Sequence, residues 1–363
     1  MKKKVAIIGT NGIPAKYGGF ETLTEYLSKY LNQEFNLTVY CAKTPKEKRL
    51  TSINNTRLVY IPFKANGWQS LIYDAISIIH AFIKNDVLVI LGFSGVFAFP
   101  FKFFFRKKIV FNIGGVEWKK VRGKKSFGKL EVISKKWFEK ICIYYSDVVI
   151  ADNQVIWDYV KTTYGIDCVL AEYGGNHAIY KPINEHLKIK YPFLSAKYDV
   201  TVSRAQEDMN IHLIIEAYKK TPERNLVVVS NWEISEYGKN LKQENKNKFP
   251  NIFLEDAIYN VDELNAIRSN AEIYIHSHSL CGTAPSLTEA MFLKLPVICF
   301  DVNTNRASTE NNSIYFSNSE SLVRELKSLD QNNIERLGER MYEIAQRRYN
   351  WERIVNLYKN SIN

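Results

Sequence analysis

Short apolar runs of strand length alternate with amphipathic helical stretches along the whole chain, and the alternation starts afresh after a polar, Pro-punctuated segment near the middle. With a length of 363 residues, this predicts an α/β fold of two Rossmann-like, doubly wound domains facing across a cleft. Strands followed by helices imply parallel sheets covered on both faces. The expected organisation is a first domain over residues 1–180, a linker over 181–197, a second domain over 198–345, and a closing helix over 346–363 that crosses back to the first domain.

Val5-Ala-Ile-Ile-Gly9 reads as a short buried strand opening into a Gly/Pro-rich loop from Thr10 to Gly19. Leu23, Tyr26, Leu27, Tyr30 and Leu31 then recur at helical spacing between Phe20 and Asn32. Further strands are expected over 37–41, 87–91, 109–112 and 148–151, with helices over 68–83 and 128–145. Beyond the polar segment, strands are expected over 199–203, 226–230, 252–254, 273–276 and 297–300, with helices over 211–219, 261–269 and 285–293. The stretch 332–358, with Trp351 and Tyr358, has helical periodicity throughout. Ligands in such sheets bind at the carboxyl ends of the strands.

Composition narrows the class. A hydrophobic fraction of 46% and a charged fraction of 24% are those of a folded, globular chain. The longest apolar candidate, Gly92 to Phe105, is interrupted by Pro100 and Lys102; a membrane helix needs about 18–20 apolar residues. The basic start Met1-Lys-Lys-Lys precedes only four apolar residues, too few for a signal peptide. Five scattered cysteines, an odd number, suit reduced thiols in the cytosol. The net charge is +11, and residues 102–140 hold thirteen basic residues against Glu117, Glu131 and Glu139, a net +10. A local basic face calls for a polyanionic neighbour: nucleic acid, anionic lipid or a diphosphate-bearing substrate.

The strongest local signal is Cys281-Gly-Thr-Ala-Pro-Ser-Leu-Thr-Glu289-Ala-Met, between two strands. Pro285 suits the first position of a helix. The small residues Gly282 and Thr283 let a ligand approach the amides of Ser286 and Leu287, where the helix dipole favours a diphosphate. Glu289, one turn in, is placed to accept ribose hydroxyls. Equally, Ser286-x-x-Glu289 reads as a capping box, and spacing leaves both readings open. Arg204 directly follows a strand, where a guanidinium fork suits a diphosphate; a surface ion pair with Glu207 or Asp208 is the alternative. In the first half, Gly18 and Gly19 precede a helix and allow backbone to approach an anion.

Neither Gly-x-Gly-x-x-Gly nor Gly-Lys-Ser/Thr is present, which argues against a dinucleotide-dependent dehydrogenase or epimerase and a P-loop ATPase. His276 and His278 share a strand face, but a third and fourth ligand at zinc-like spacing are missing, so no metal site is assigned. Phe99, Phe101, Phe103, Phe104 and Phe105 interleave with Lys102, Arg106, Lys107 and Lys108, and Trp118-Lys-Lys-Val-Arg-Gly-Lys-Lys125 follows. Aromatics with cations suit a membrane interface; a core helix followed by a solvated face is the competing reading.

Taken in order, Gly12-Ile-Pro-Ala-Lys-Tyr-Gly-Gly-Phe-Glu21, Gly115-Val-Glu-Trp118, Ile150-Ala-Asp152, Tyr173-Gly174, Gly282-Thr-x-Pro-Ser-Leu-x-Glu-Ala-Met291 and Asn305-Arg306 carry a resemblance. Over nearly its whole length the chain resembles the retaining GT-B glycosyltransferases of family 4, nearest the bacterial rhamnosyltransferase branch of capsule and cell-wall polysaccharide synthesis. The resemblance implies an acceptor-binding first domain and a nucleotide-sugar-binding second domain. The reaction it implies moves a sugar, L-rhamnose from dTDP-rhamnose or another nucleotide-linked sugar, onto a lipid-linked saccharide with retention. It needs no cofactor or metal ion.

By the same resemblance Arg204, Glu117 and Glu289 are the catalytic candidates. Gly18, Gly19, Arg204, Gly282, Thr283, Ser286, Leu287 and Glu289 would bind the donor. Lys119, Lys120, Arg122, Lys124 and Lys125 would face the acceptor and an anionic membrane, giving a cytoplasmic protein peripheral at the inner face of the plasma membrane, with no nucleic-acid partner. A non-catalytic anion- or nucleic-acid-binding module is the rival class. Three positions depart from the pattern: Cys281 where the broad family has a second Glu, Met209 where it tends to have Lys, and Gly114 where the branch usually shows Asp.

Overall fold

The computed structural model describes residues 1–15, 18–93, 96–115 and 129–363. The chain divides into two compact units: the described residues up to Tyr173 together with Trp351–Asn363, and Gly174–Asn350. Each is a doubly wound parallel sheet with helices on both faces.

The first sheet contains β1 (Lys4–Ile8), β2 (Asn36–Cys41), β3 (Ser52–Ile53), β4 (Thr56–Tyr60), β5 (Val87–Leu91), β6 (Lys108–Asn112), β7 (Val148–Ala151) and β8 (Val169–Leu170). Their order is β3-β4-β2-β1-β5-β6-β7-β8. Only the β3–β4 pair is antiparallel; its turn residues Asn54 and Asn55 both have positive φ, as a two-residue hairpin turn requires. Alternation along β1 sends Ala6 and Ile8 into one layer and Val5 and Ile7 into the other.

The stretch 332–358, expected to be helical throughout, forms two helices, Gln331–Arg348 and Trp351–Ile362. They break where Tyr349 turns fully inward and its hydroxyl donates to the Ser308 carbonyl at 2.5 Å. The Trp351–Ile362 helix completes the layer that holds Val5 and Ile7, burying Trp351, Ile354, Val355, Tyr358 and Ile362. Trp351 stacks on Tyr26 with ring centres 4.2 Å apart, and Asn112 Nδ2 donates to Tyr358 Oη at 2.5 Å.

The second sheet contains β9 (Asp199–Arg204), β10 (Leu226–Asn231), β11 (Ile252–Asp256), β12 (Tyr274–His276), β13 (Val297–Phe300) and β14 (Ile314–Phe316), in the order β11-β10-β9-β12-β13-β14. The segment expected as a free linker is part of this unit. Asn184 caps a helix over Glu185–Lys190 by accepting from the Leu187 amide at 2.9 Å, and a turn over Pro192–Ser195 follows. Leu187, Tyr191, Phe193 and Leu194 are buried in its core, so apolar burial ties the segment down despite its polar look. The unit boundary accordingly falls at Tyr173–Gly174 rather than at residue 180.

In both sheets the chain reverses direction around the first strand of the unit. β1 lies between β2 and β5, and β9 between β10 and β12. The carboxyl ends of those strands mark the topological switch points where open α/β sheets bind ligands.

Candidate active site

In the second unit, Arg204 ends β9 and the loop 277–284 leaves β12, so both stand at the same switch point. The loop leads into the helix Pro285–Phe292, with Pro285 at its first turn and Ala284 as N-cap. No side chain caps this helix, so the capping-box alternative is set aside. Gly282 and Thr283 are buried just ahead of it. The Leu287 amide, expected to be available to an anion, instead donates to the Ala284 carbonyl at 3.0 Å, and the Thr288 amide joins it at 3.2 Å. The N-cap carbonyl takes up the first intrahelical bonds, which leaves Ser286 as the amide at the helix start without a backbone acceptor among the described residues.

Glu289 lies on this helix and is 14% exposed at its side chain. Its Oε1 is 2.9 Å from His177 Nε2, and its Oε2 accepts from Arg268 Nη1. Arg268 is itself 2% exposed, and its Nη2 donates to Asn265 Oδ1 at 3.1 Å. Burial pushes the Glu289 carboxyl up, but Arg268 and then His177 more than reverse this and bring it down to about 2. Glu289 is therefore a fixed anion at every physiological pH. Each carboxylate oxygen has two lone-pair directions, so the expected ribose contact would be made beside these two partners. Neither His177 nor Arg268 was legible as a site residue in the sequence.

The departures from the family pattern have local explanations. Met209 is 1% exposed and packs in the core beside Ile211 and Trp232, so this position does not present a side chain to the strand ends. Cys281 places its Sγ 3.4 Å from His278 Nδ1. In the first unit, Gly114 has φ +63° and an added Cβ would lie 2.4 Å from the tip of the Phe20 ring, so an aspartate there would require that ring to shift.

Also in the first unit, the loop after β1 is held by carboxylates of the helix Gly19–Leu31. Glu21 is buried and its Oε1 accepts from the Asn11 amide at 2.8 Å and from Asn11 Nδ2 at 2.9 Å, while Glu25 Oε2 accepts from the Ala15 amide at 2.6 Å. Gly18 is the extended N-cap of that helix, with Glu21 Oε2 3.5 Å from where its Cβ would be. Gly19 makes room for the Tyr173 ring, which a Cβ would meet at 3.1 Å. Its missing side chain thus serves packing within the unit. Glu117, Lys119, Lys120, Arg122, Lys124 and Lys125 lie outside the described residues. Among the described residues, no group of three or more His, Cys, Asp or Glu is placed to hold a metal ion.

Two family models match the chain. Residues 186–348 match glycosyl transferases group 1, and residues 2–176 match a domain of unknown function, DUF1972. The match to glycosyl transferases group 1 lies over the second unit, and the two doubly wound sheets are those of the GT-B fold. Among solved structures the chain is similar to sucrose-phosphate synthase from Thermosynechococcus elongatus, at 15% identity and a TM-score of 0.83 over 99% of both chains. It is similar to HepE from Anabaena in complex with UDP, at 14% identity and a TM-score of 0.75 over 99% of both chains. It is also similar to the catalytic domain of starch synthase IV from Arabidopsis thaliana bound to ADP and acarbose, at 13% identity and a TM-score of 0.67 over 100% of both chains. No curated protein matches the sequence.

Proposed function

We propose that the chain transfers L-rhamnose from dTDP-rhamnose to a lipid-linked saccharide in bacterial surface polysaccharide synthesis, with retention and without a metal ion or cofactor. The observation that carries the reading is the position of Arg204 and of the Pro285–Phe292 helix start at one switch point, inside the stretch matched by glycosyl transferases group 1. The two structural relatives that hold UDP or ADP support a nucleotide donor. The base and the sugar rest on the resemblance of the Gly12–Glu21 and Gly282–Met291 motifs.

In this reaction the bond between the anomeric carbon and the β-phosphate oxygen breaks. The acceptor hydroxyl forms its bond to the same face of that carbon, and its proton passes to the departing phosphate. Negative charge grows on the leaving diphosphate, and Arg204 with the Ser286 amide supplies preorganised donors to it. Glu289, kept ionised by Arg268 and His177, offers acceptors to the ribose hydroxyls. The protein works at the cytoplasmic membrane surface: Phe103 and Phe104 are 69% and 82% exposed among Lys102, Arg106 and Lys107, a composition that suits an anionic bilayer interface.

A thermal-shift panel of dTDP, UDP, ADP, GDP and their sugars tests the reading. A ligand at 100 times its dissociation constant stabilises by about 2.7 kcal/mol, and dTDP and dTDP-rhamnose are expected to give the largest shifts. Arg204→Ala is expected to abolish the shift and to lower turnover at least ~10-fold, the loss of about 1.4 kcal/mol of transition-state stabilisation. Full binding and turnover in Arg204→Ala would remove Arg204 from the site.

A further inference from the structure

The ends of β9 and β12 carry buried polar atoms for which the reading above has no use. Ser203 Oγ, both ring nitrogens of His276 and Nε2 of His278 make no hydrogen bond among the described residues. His276 is 1% exposed and His278 8%. Asn305, whose side chain lies beside the His276 ring, gives its Nδ2 to the carbonyls of His278 and Phe300, each at 2.9 Å.

The two imidazoles belong to an ordered row of rings. Tyr274, His276 and His278 alternate along β12 and its continuation, with ring centres 6.2 Å and 4.2 Å apart. The row ends beside Arg204, which closes β9 and whose charge acts on His278. Burial, reinforced by His276 and by the charge of Arg204, holds the His278 ring neutral. A neutral imidazole can stand beside a guanidinium and donate to the same anion without like-charge repulsion. The contact of 3.4 Å between Cys281 Sγ and His278 Nδ1 suits a thiol donating to Nδ1; in that tautomer the ring proton sits on Nε2, which then carries a buried donor. Buried donors without acceptors are costly and rare. Several in one place, beside an arginine at a switch point, mark a surface shaped for a ligand.

We propose that His278 is a further donor-binding residue, whose Nε2–H binds a phosphoryl oxygen of the nucleoside diphosphate beside Arg204, with His276 stacked behind as its support. The inference rests on the nucleotide-diphosphate reading above and names an additional contact for it. It also gives Cys281 a task, as the residue that orients the His278 ring.

Calorimetric titration with dTDP, UDP and inorganic pyrophosphate, alongside melting of the ligand-free protein, tests the idea on wild type, His278→Leu, His278→Gln and His278→Met. His278→Leu is expected to weaken diphosphate binding at least ~10-fold while the ligand-free melting temperature stays level or rises, because an unpaired buried polar ring has been replaced by an apolar side chain. His278→Gln keeps an N–H near the Nε2 position and is expected to recover most of the affinity, whereas His278→Met, similar in bulk but without a donor, is expected to lose it as His278→Leu does. A His278→Leu protein that melts lower yet binds diphosphate as wild type does would make His278 a packing residue and overturn the proposal. Should His278→Leu not fold, wild-type diphosphate affinity in His278→Met overturns it equally. Wild-type protein that binds no diphosphate at all would instead bring down the glycosyltransferase reading itself.

Discussion

Glu289 sits on the helix Pro285–Phe292 between Arg268 and His177, and its carboxyl is lowered from 4.5 to about 2. The folded value lies below the unfolded one, so this group stabilises the protein above about pH 4.5 and loses that contribution as the pH falls towards 2. The size is on the order of 3 kcal/mol, at 1.36 kcal/mol per unit. Replacing Arg268 by Met leaves Glu289 buried with His177 alone. The acid-unfolding midpoint is expected to rise by at least ~0.5 pH unit and the acid limb of the kcat profile to move up with it. Glu289→Ala is expected to lower turnover at least ~10-fold in a protein that still folds but is less stable, since Arg268 is left buried without its carboxylate; circular dichroism against pH and initial rates check both. The positions of Arg204 at a strand end and of Ser286 and Glu289 on a helix start were readable because such ends and starts are local patterns. Arg268 and His177 were not, since they reach Glu289 from 21 and 112 positions away, and no periodicity or spacing rule spans such distances.

Among the elements, those with long apolar or amphipathic signals lie within a residue or two of expectation: β5, β7 and β13 and the helices Ile211–Lys219 and Val261–Ser269 have the expected bounds. The elements overlooked are short or polar. β3 and β4 flank an Asn-Asn turn, β8 has two residues, and the helix Gln154–Tyr164 is announced mainly by its Asn153 cap and by Gly165 at φ +69°. The linker failed for a different reason: tertiary burial of Leu187, Tyr191, Phe193 and Leu194 overrides a polar local composition. The helix Trp351–Ile362 carries the clearest prediction at this scale. Trp351 is fully buried against Tyr26, and Trp351→Ala is expected to cost about 3–5 kcal/mol. Urea unfolding followed by a probe in the first unit should show that loss, while nucleotide binding by the second unit persists.

For the whole molecule, the restart of the strand–helix alternation gave two sheets, and the match to glycosyl transferases group 1 over 186–348 coincides with the second. What the pattern did not carry is which residues of the basic stretch face outward. Lys136, Trp137 and Lys140 are exposed on the helix Lys129–Tyr145, and Phe103 contacts Tyr145 at its end with ring centres 5.4 Å apart. The net charge of +11 is thus accompanied by exposed aromatic side chains. Cosedimentation with vesicles should show binding to anionic but not to zwitterionic lipid at about 0.1 M salt, weakened strongly at about 1 M, where the screening length falls to about 3 Å. Replacing Phe103 and Phe104 together by Ser is expected to lower vesicle binding several-fold without altering nucleotide affinity. Equal binding to both lipid types would sink the membrane assignment.

The Trp351–Ile362 helix belongs to the first unit, yet it follows the second in chain order. During synthesis the ribosome therefore delivers Val5, Ile7, Leu23 and Leu27 long before the side chains that cover them. A nascent first unit must wait, one apolar layer bare, until more than a hundred and seventy further residues have emerged. Domain-by-domain folding from the leading end is thus interrupted in this protein. Its first half becomes complete only after its second.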